Sequence, residues 1–260
     1  DLDTSLMSGY AHGLMEKLVA KLQTSCHRGV QEESITCVAV VAGNIGKDFG
    51  RYYDSVMPML KQLVMTATGE KQNRLRGKAF ECMSLLGLAV GKEKFLPDAH
   101  QAIDAMLKTP LDADDVQREY IKEASERICQ CLKRDFRLFV PALLPGLART
   151  LRFEEVAETA QVPDEDADNY VKVTAKGGKL VQVHTQKFEE MKQSLSLLLT
   201  FCTEMEGAYF EFVEETAAVL LPLLSNEDEE FAAYCEQVRG IALQAWGLLI
   251  KVARAGEKER

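Results

Sequence analysis

Residues 73–95 read NRLRGKAFECMSLLGLAVGKEKF, and this stretch decides the fold class. Ala79, Phe80, Cys82, Met83, Leu85, Leu86, Leu88, Ala89 and Val90 occupy nearly every direction around a helix axis, so the spacing predicts a helix buried on more than one side. Arg74, Arg76, Lys78 and Glu81 are expected to keep its first turns in water. A helix that is apolar nearly all round belongs to an inner layer and needs neighbours on both flanks. Membrane burial is the other way to satisfy such a helix, but the longest apolar runs, such as Ala217 to Leu221, fall well short of the roughly 18 residues a span requires.

The neighbours are written at a regular interval. Phe49, Phe95 and Phe136 are 46 and 41 residues apart, within the roughly 40 to 47 expected of HEAT or armadillo units. Phe49 and Phe136 are each followed nine residues later by a proline, Pro58 and Pro145, and Pro222 sits in the similar context AAVLLPLL. A proline amid Leu and Met must start, kink or break its helix. Helices carrying Pro (about 52–67, 97–108, 137–150 and 209–225) therefore alternate with helices lacking it (30–47, 73–92, 116–134, 187–205 and 231–254). The first helical pattern, Leu14, Leu18 and Leu22, is expected to stop near His27-Arg28-Gly29. The opening stretch also recurs. Arg76, Gly77, Ala79, Leu85 and Leu86 match Arg239, Gly240, Ala242, Leu248 and Leu249 at identical spacing. Each helix pair cannot bury its own apolar face, so stacking on the next pair supplies a continuous core. The expected fold is all-α, a HEAT-repeat alpha-alpha superhelix of about five helix pairs running through residues 1–260.

One segment breaks the period. Phe136 and Tyr209 stand 73 residues apart, about thirty more than a repeat needs, and the excess falls within residues 152–185. Its first half, RFEEVAETAQVPDEDAD, holds seven carboxylates against one Arg without apolar period and reads as an acidic loop. In its second half Tyr170 to Thr174 and Leu180 to His184 alternate about Gly177-Gly178, the signal of a β-hairpin. The insertion is expected to be an acidic loop plus hairpin within one repeat.

Composition narrows the function. The net charge of −9 argues against a nucleic-acid surface and suits a basic protein partner, although acidity also serves plain solubility. Seven cysteines, at 26, 37, 82, 129, 131, 202 and 235, are odd in number and form no C-x-x-C pair; they read as reduced, buried thiols. The four histidines lie far apart. No phosphate loop, G-x-S-x-G, H-E-x-x-H or G-x-G-x-x-G occurs, so neither cofactor, metal nor catalytic residue is assigned and an enzyme is not expected. The chain opens on DLDTSLMSGY, without an initiator Met or a secretory pattern, and ends in GEKER; it is expected to be a fragment of something longer.

RLRGKAFECMSLLGLAVGKEKF, with FGRYYDSVMPMLKQ before it and LPDAHQAIDAMLKT after it, resembles the central HEAT repeats of importin-beta nuclear transport receptors, in the importin beta-3 (karyopherin beta-3) subgroup. The resemblance is strongest from Val30 to Thr109, continues through Phe136 to Leu147, and returns in FVEETAAVLLPLLS. It implies an all-helical receptor that carries cargo with basic nuclear localisation signals on its inner surface. It also implies binding of phenylalanine-glycine nucleoporins on the outside, release of cargo on binding Ran-GTP, and shuttling between cytoplasm and nucleus, with neither nucleic acid nor membrane as a direct partner.

If the Pro-lacking helices form the inner layer, as the resemblance implies, their carboxylates are the candidates for cargo. Glu119, Glu123 and Glu126 share one helical face, beside a core face of Tyr120, Ala124, Ile128 and Cys131. Lys122 and Arg127 flank them, a pattern that also fits a solvated surface. Glu32 with Glu33, and Glu189 with Glu190, are further candidates. In the insertion, Asp164, Glu165, Asp166 and Asp168 form the densest negative cluster, fitted to steer a cationic partner or to keep a linker soluble. A general HEAT scaffold of a cytoplasmic complex is the competing reading.

Overall fold

Asn73–Val90 forms one helix, α4, with helices packed on both flanks. In the computed structural model, residues 4–24, 27–111, 115–152, 170–175, 179–224 and 229–259 are described, and the chain divides into two compact units, Asp1–Lys133 and Arg134–Arg260. The first contains α1 (Thr4–Thr24), α2 (Arg28–Ile45), α3 (Gly50–Thr66), α4, α5 (Lys92–Lys108) and α6 (Gln117–Leu132). Here α2, α4 and α6 lie side by side as one layer, while α1 packs on α2, α3 on α4, and α5 on α4 and α6. The second contains α7 (Val140–Leu151), α8 (Thr185–Met205), α9 (Val213–Leu224) and α10 (Glu229–Glu259). There α8 and α10 are side by side, α7 covers α8, and α9 covers α10. Pro58, Pro97, Pro145 and Pro222 fall inside α3, α5, α7 and α9, one partner of each pair, as the alternation in the sequence predicts.

The periodic aromatics have a structural cause. Helices α2, α4, α6 and α8 are each followed by a residue of positive φ: Gly46 (54°), Gly91 (87°), Lys133 (51°) and Glu206 (51°). Three or four residues beyond each lies Phe49, Phe95, Phe136 or Tyr209, all fully buried. Within each unit the reversed backbone turns the chain back on itself, and the aromatic fills the corner between successive helices, as Phe49 does between α2 and α3, Phe95 between α4 and α5, and Tyr209 between α8 and α9. In the second unit Phe136 meets Phe201 at 5.2 Å between ring centroids, and the Tyr209 hydroxyl is 2.8 Å from Thr216 Oγ1. Gly46, at φ 54° and ψ −128°, has nothing within 4 Å of a notional Cβ, so an alanine there meets backbone strain and no steric clash. Gly46→Ala is expected to cost about 1 to 3 kcal/mol, measured as faster amide hydrogen exchange in α2 and α3.

The structure corrects several expectations. Arg76 and Lys78 do not keep the start of α4 wet; they are 9% and 8% exposed. It is instead the last turn that opens to solvent, with Leu88 exposed and Leu85, Ala89 and Val90 half-buried. Gly29 is not a stop signal, because α1 ends at Thr24 and α2 begins at Arg28. The tail from Gly256 onward continues α10 to Glu259, where the bare Cα of Gly256 packs against Phe210 and Arg134 pairs with Glu259.

Tyr170–Ala175 (β1) and Lys179–His184 (β2) pair antiparallel, with Tyr170 opposite His184 and Ala175 opposite Lys179. The acidic residues Asp164, Glu165, Asp166 and Asp168 lie outside the described residues. Among the described residues, no helix is long and apolar enough to cross a membrane.

Candidate functional site

The layer of α2, α4 and α6 is held by polar pairs one repeat apart. Asn73 Nδ2 donates to Asp115 Oδ2 at 2.8 Å, Arg76 Nε donates to Gln117 Oε1, and Lys78 Nζ donates to Thr36 Oγ1 at 2.7 Å. Closer contact between α4 and its neighbours is permitted by two glycines. A Cβ on Gly77 would enter the Tyr120 ring of α6, and one on Gly87 would stand 2.5 Å from Phe95 Cδ1. The Cys131 thiol of α6 also donates to the Gly87 carbonyl at 3.3 Å. Tyr120, Ala124, Ile128 and Cys131 thus form the packed side of α6, which leaves its carboxylates toward water.

Those carboxylates differ in how far they are already neutralised. Glu32 is withdrawn from the solvent face: it is 7% exposed, with Arg28 Nε at 3.3 Å and Arg74 Nε at 3.5 Å. Burial and two cations make it a strut between α2 and α4. Glu33 is open, its side chain 68% exposed, although Lys78 Nζ lies 3.4 Å away. On α6, Glu119 is exposed and has no ionic partner among the described residues. Glu123 accepts a 2.6 Å bond from Arg127 Nη2, and Glu126 is half-buried. In the second unit, exposed Glu189 pairs with Lys192, which also donates to Gln237 Oε1 at 3.1 Å; Glu190 is half-buried.

The surface thus places Glu119, Glu123 and Glu126 along one helix, with Glu33 on α2 of the same layer. Sequence reading placed Lys122 and Arg127 beside the α6 carboxylates but missed the cations that reach Glu32 and Glu33 from α4, Arg74 and Lys78. Their signal was available, because Glu32 and Arg74 are 42 residues apart and Glu33 and Lys78 are 45 apart, which is one repeat period. Residues of opposite charge at that separation face each other across stacked helices.

Other chemistry is sparse. Among the described residues, no group of three or more His, Cys, Asp or Glu is placed to hold a metal ion. Burial pushes the Cys131 thiol up to about 11 and the Cys202 thiol up to about 12, so both stay protonated and unreactive near neutral pH. Within the second unit, Arg134, Arg137, Leu138, Gly207, Phe210 and Glu259 help line a cleft of about 580 Å³. In it Arg134 bonds Glu259 Oε1 at 2.7 Å and approaches Glu206 at 3.5 Å.

No family model matches the chain. It is 31% identical over 232 residues to importin subunit beta-3 of Saccharomyces cerevisiae, covering 84% of this chain and 21% of that protein. It is 28% identical over 200 residues to a probable importin-5 homolog of Dictyostelium discoideum, covering 76% of this chain and 18% of the relative. The crystal structure of Kap121p superposes with a TM-score of 0.78 at 26% identity, over 99% of this chain and 24% of Kap121p. Kap121p has also been solved bound to Pho4p and bound to Nup53p. The chain therefore spans about a fifth to a quarter of the length of these relatives.

Proposed function

Because the chain belongs to the importin-beta family of karyopherins, we propose that it is a HEAT-repeat segment of a nuclear import receptor. Its activity is reversible binding. The relatives are named as importins, and no catalytic groups converge among the described residues. In this reading, basic nuclear localisation signals of cargo lie against the carboxylate face of α6, with Glu119 first, then Glu123 and Glu126, extended by Glu33 on α2 of the same unit; Glu189 and Glu190 are candidates of the second unit taken by itself. The observation that carries it is Glu119, an exposed carboxylate without an ionic partner among the described residues, at the head of an acidic helix face. Nup53p on Kap121p supports nucleoporins as a second class of partner, and shuttling between cytoplasm and nucleus follows from the same role. Release coupled to Ran-GTP, and a part for the insertion at 152–185 with its Asp164, Glu165, Asp166 and Asp168, belong to the same proposal.

The test is a titration of the chain with a fluorescein-labelled Lys/Arg-rich peptide, at about 0.05 M and about 0.5 M salt. Binding is expected at low salt and lost at high salt, and Glu119→Gln with Glu123→Gln should weaken it about fivefold to tenfold. Absence of binding at low salt would favour a second reading, a HEAT scaffold of a cytoplasmic complex. What supports that alternative is the pairing of Glu33, Glu123 and Glu189 with cations of their own layer.

A further inference from the structure

We infer that Arg127 is a specificity-determining residue of the α6 face, because it occupies Glu123 in the place a cargo cation would take. The inference rests on the cargo reading above and deepens it. Among the described residues, Glu32, Glu33, Glu123 and Glu189 each carry a resident cation, held in different ways. Glu32 is clamped by two arginines and buried, so nothing from outside can exchange there. Lys78 is 8% exposed and donates to Thr36 at 2.7 Å as well as approaching Glu33 at 3.4 Å; it stays on its hydroxyl and leaves most of Glu33 open. Lys192 divides its ammonium between Glu189 and Gln237.

Arg127 differs from all three. It is attached to Glu123 by one bond, Nη2 to Oε2 at 2.6 Å, while its Nη1 is buried and makes no hydrogen bond. A guanidinium normally engages a carboxylate through two parallel bonds; here one arm of the fork is used and the other is stranded. The pair stands at i, i+4 with the acid toward the helix N-terminus, the favourable order, and both side chains reach solvent, at 23% and 43% exposure. A partner's lysine or arginine that binds Glu123 either displaces Arg127 from Oε2 or shares with it a carboxylate whose charge Arg127 already half neutralises. Resident occupancy lowers the apparent affinity by the fraction of time Glu123 is already taken. The consequence is a threshold. A single surface lysine gains little by exchanging with Arg127, whereas a signal with several cations, one of them on unoccupied Glu119, can meet the cost of displacement.

The experiment compares the wild-type chain with Arg127→Met, which keeps the aliphatic stem, and Arg127→Gln as a second variant, with helicity and melting followed by circular dichroism. With the labelled Lys/Arg-rich peptide at low salt, both variants are expected to bind about twofold to fivefold tighter than wild type, and Glu123→Gln in the same background should cancel the gain. A gain that survives Glu123→Gln comes from bulk charge and overturns the inference. Unchanged or weaker binding by both variants overturns it too, while the cargo reading stands if the wild type binds. If neither wild type nor variants bind, the cargo reading falls and the role of Arg127 with it.

Discussion

Alanine at Gly77 destabilises the first unit by about 2 kcal/mol, whereas alanine at Gly13 stabilises α1 by about 0.5 to 1 kcal/mol. Both glycines sit inside helices, where a glycine-to-alanine change ordinarily gains stability by restricting the unfolded backbone. At Gly13 nothing lies within 4 Å of the added Cβ, so that gain is realised. At Gly77 the Cβ would overlap the Tyr120 ring, with Cγ at 2.9 Å. Neither party can yield cheaply, since Gly77 is on a fully flanked helix and Tyr120 belongs to the packed side of α6. Gly87→Val extends the series. Its Cβ faces Phe95 at 2.5 Å, and Phe95 is fully buried at the corner into α5, so the expected cost is about 3 kcal/mol or more. Hydrogen exchange of α4 and α6 amides reads the effect without requiring the two units to unfold together. Equal protection of α4 in wild type and Gly77→Ala would show that the layer has room, contrary to the packing described.

Much of this fold is legible before any coordinates. The apolar wrap of 79–90, the aromatic markers and the alternating prolines define helix pairs, because all three express the same need to bury a helix on its neighbours. What the sequence conceals is the fate of charge. Arg76 and Lys78 look solvated, since a cation in a helix's first turns ordinarily is. Their partners, Gln117 and Thr36, lie 41 and 42 residues away and are visible only once the stacking register is known. Glu32 and Glu33 are adjacent and chemically identical, yet one is a buried strut and the other an open carboxylate, because successive helical residues point about 100° apart. Among the cations beside the cargo candidates, Arg28, Arg127 and Lys192 are helical neighbours visible at three or four residues' spacing, whereas Arg74 and Lys78 arrive from the next helix and are a tertiary property.

The largest polar effect is expected at Arg76. Its guanidinium is 9% exposed and has three duties: Nε donates to Gln117 Oε1, Nη1 to the Ala67 carbonyl at 2.7 Å, and Nη2 to Asn73 Oδ1 at 3.2 Å. Around it, Asp115 accepts from Asn73 Nδ2 at 2.8 Å, from Gln117 Nε2 at 2.9 Å and from the Gln117 backbone N–H at 2.9 Å. This network joins the loop before α4 to the start of α6; Ala67 and Gln117 are buried, so water does not readily replace the arginine there, while Asn73 and Asp115 are half-buried. Arg76→Met keeps the stem but strands the Ala67 carbonyl and the fully buried Gln117 oxygen, so the expected loss is about 3 to 5 kcal/mol. That exceeds what an exposed ion pair such as Lys94–Asp54 can contribute, about 1 kcal/mol at most. Removing the orphaned partner as well separates two explanations. Arg76→Met with Gln117→Met should be less destabilised than the sum of the single changes by about 1 kcal/mol or more, because the second substitution relieves an unsatisfied oxygen that the first created. Strict additivity in hydrogen exchange of α4 and α6 would mean that Arg76 acts through its loop contacts alone, and a total cost below about 1 kcal/mol would mean that water reaches the network after all.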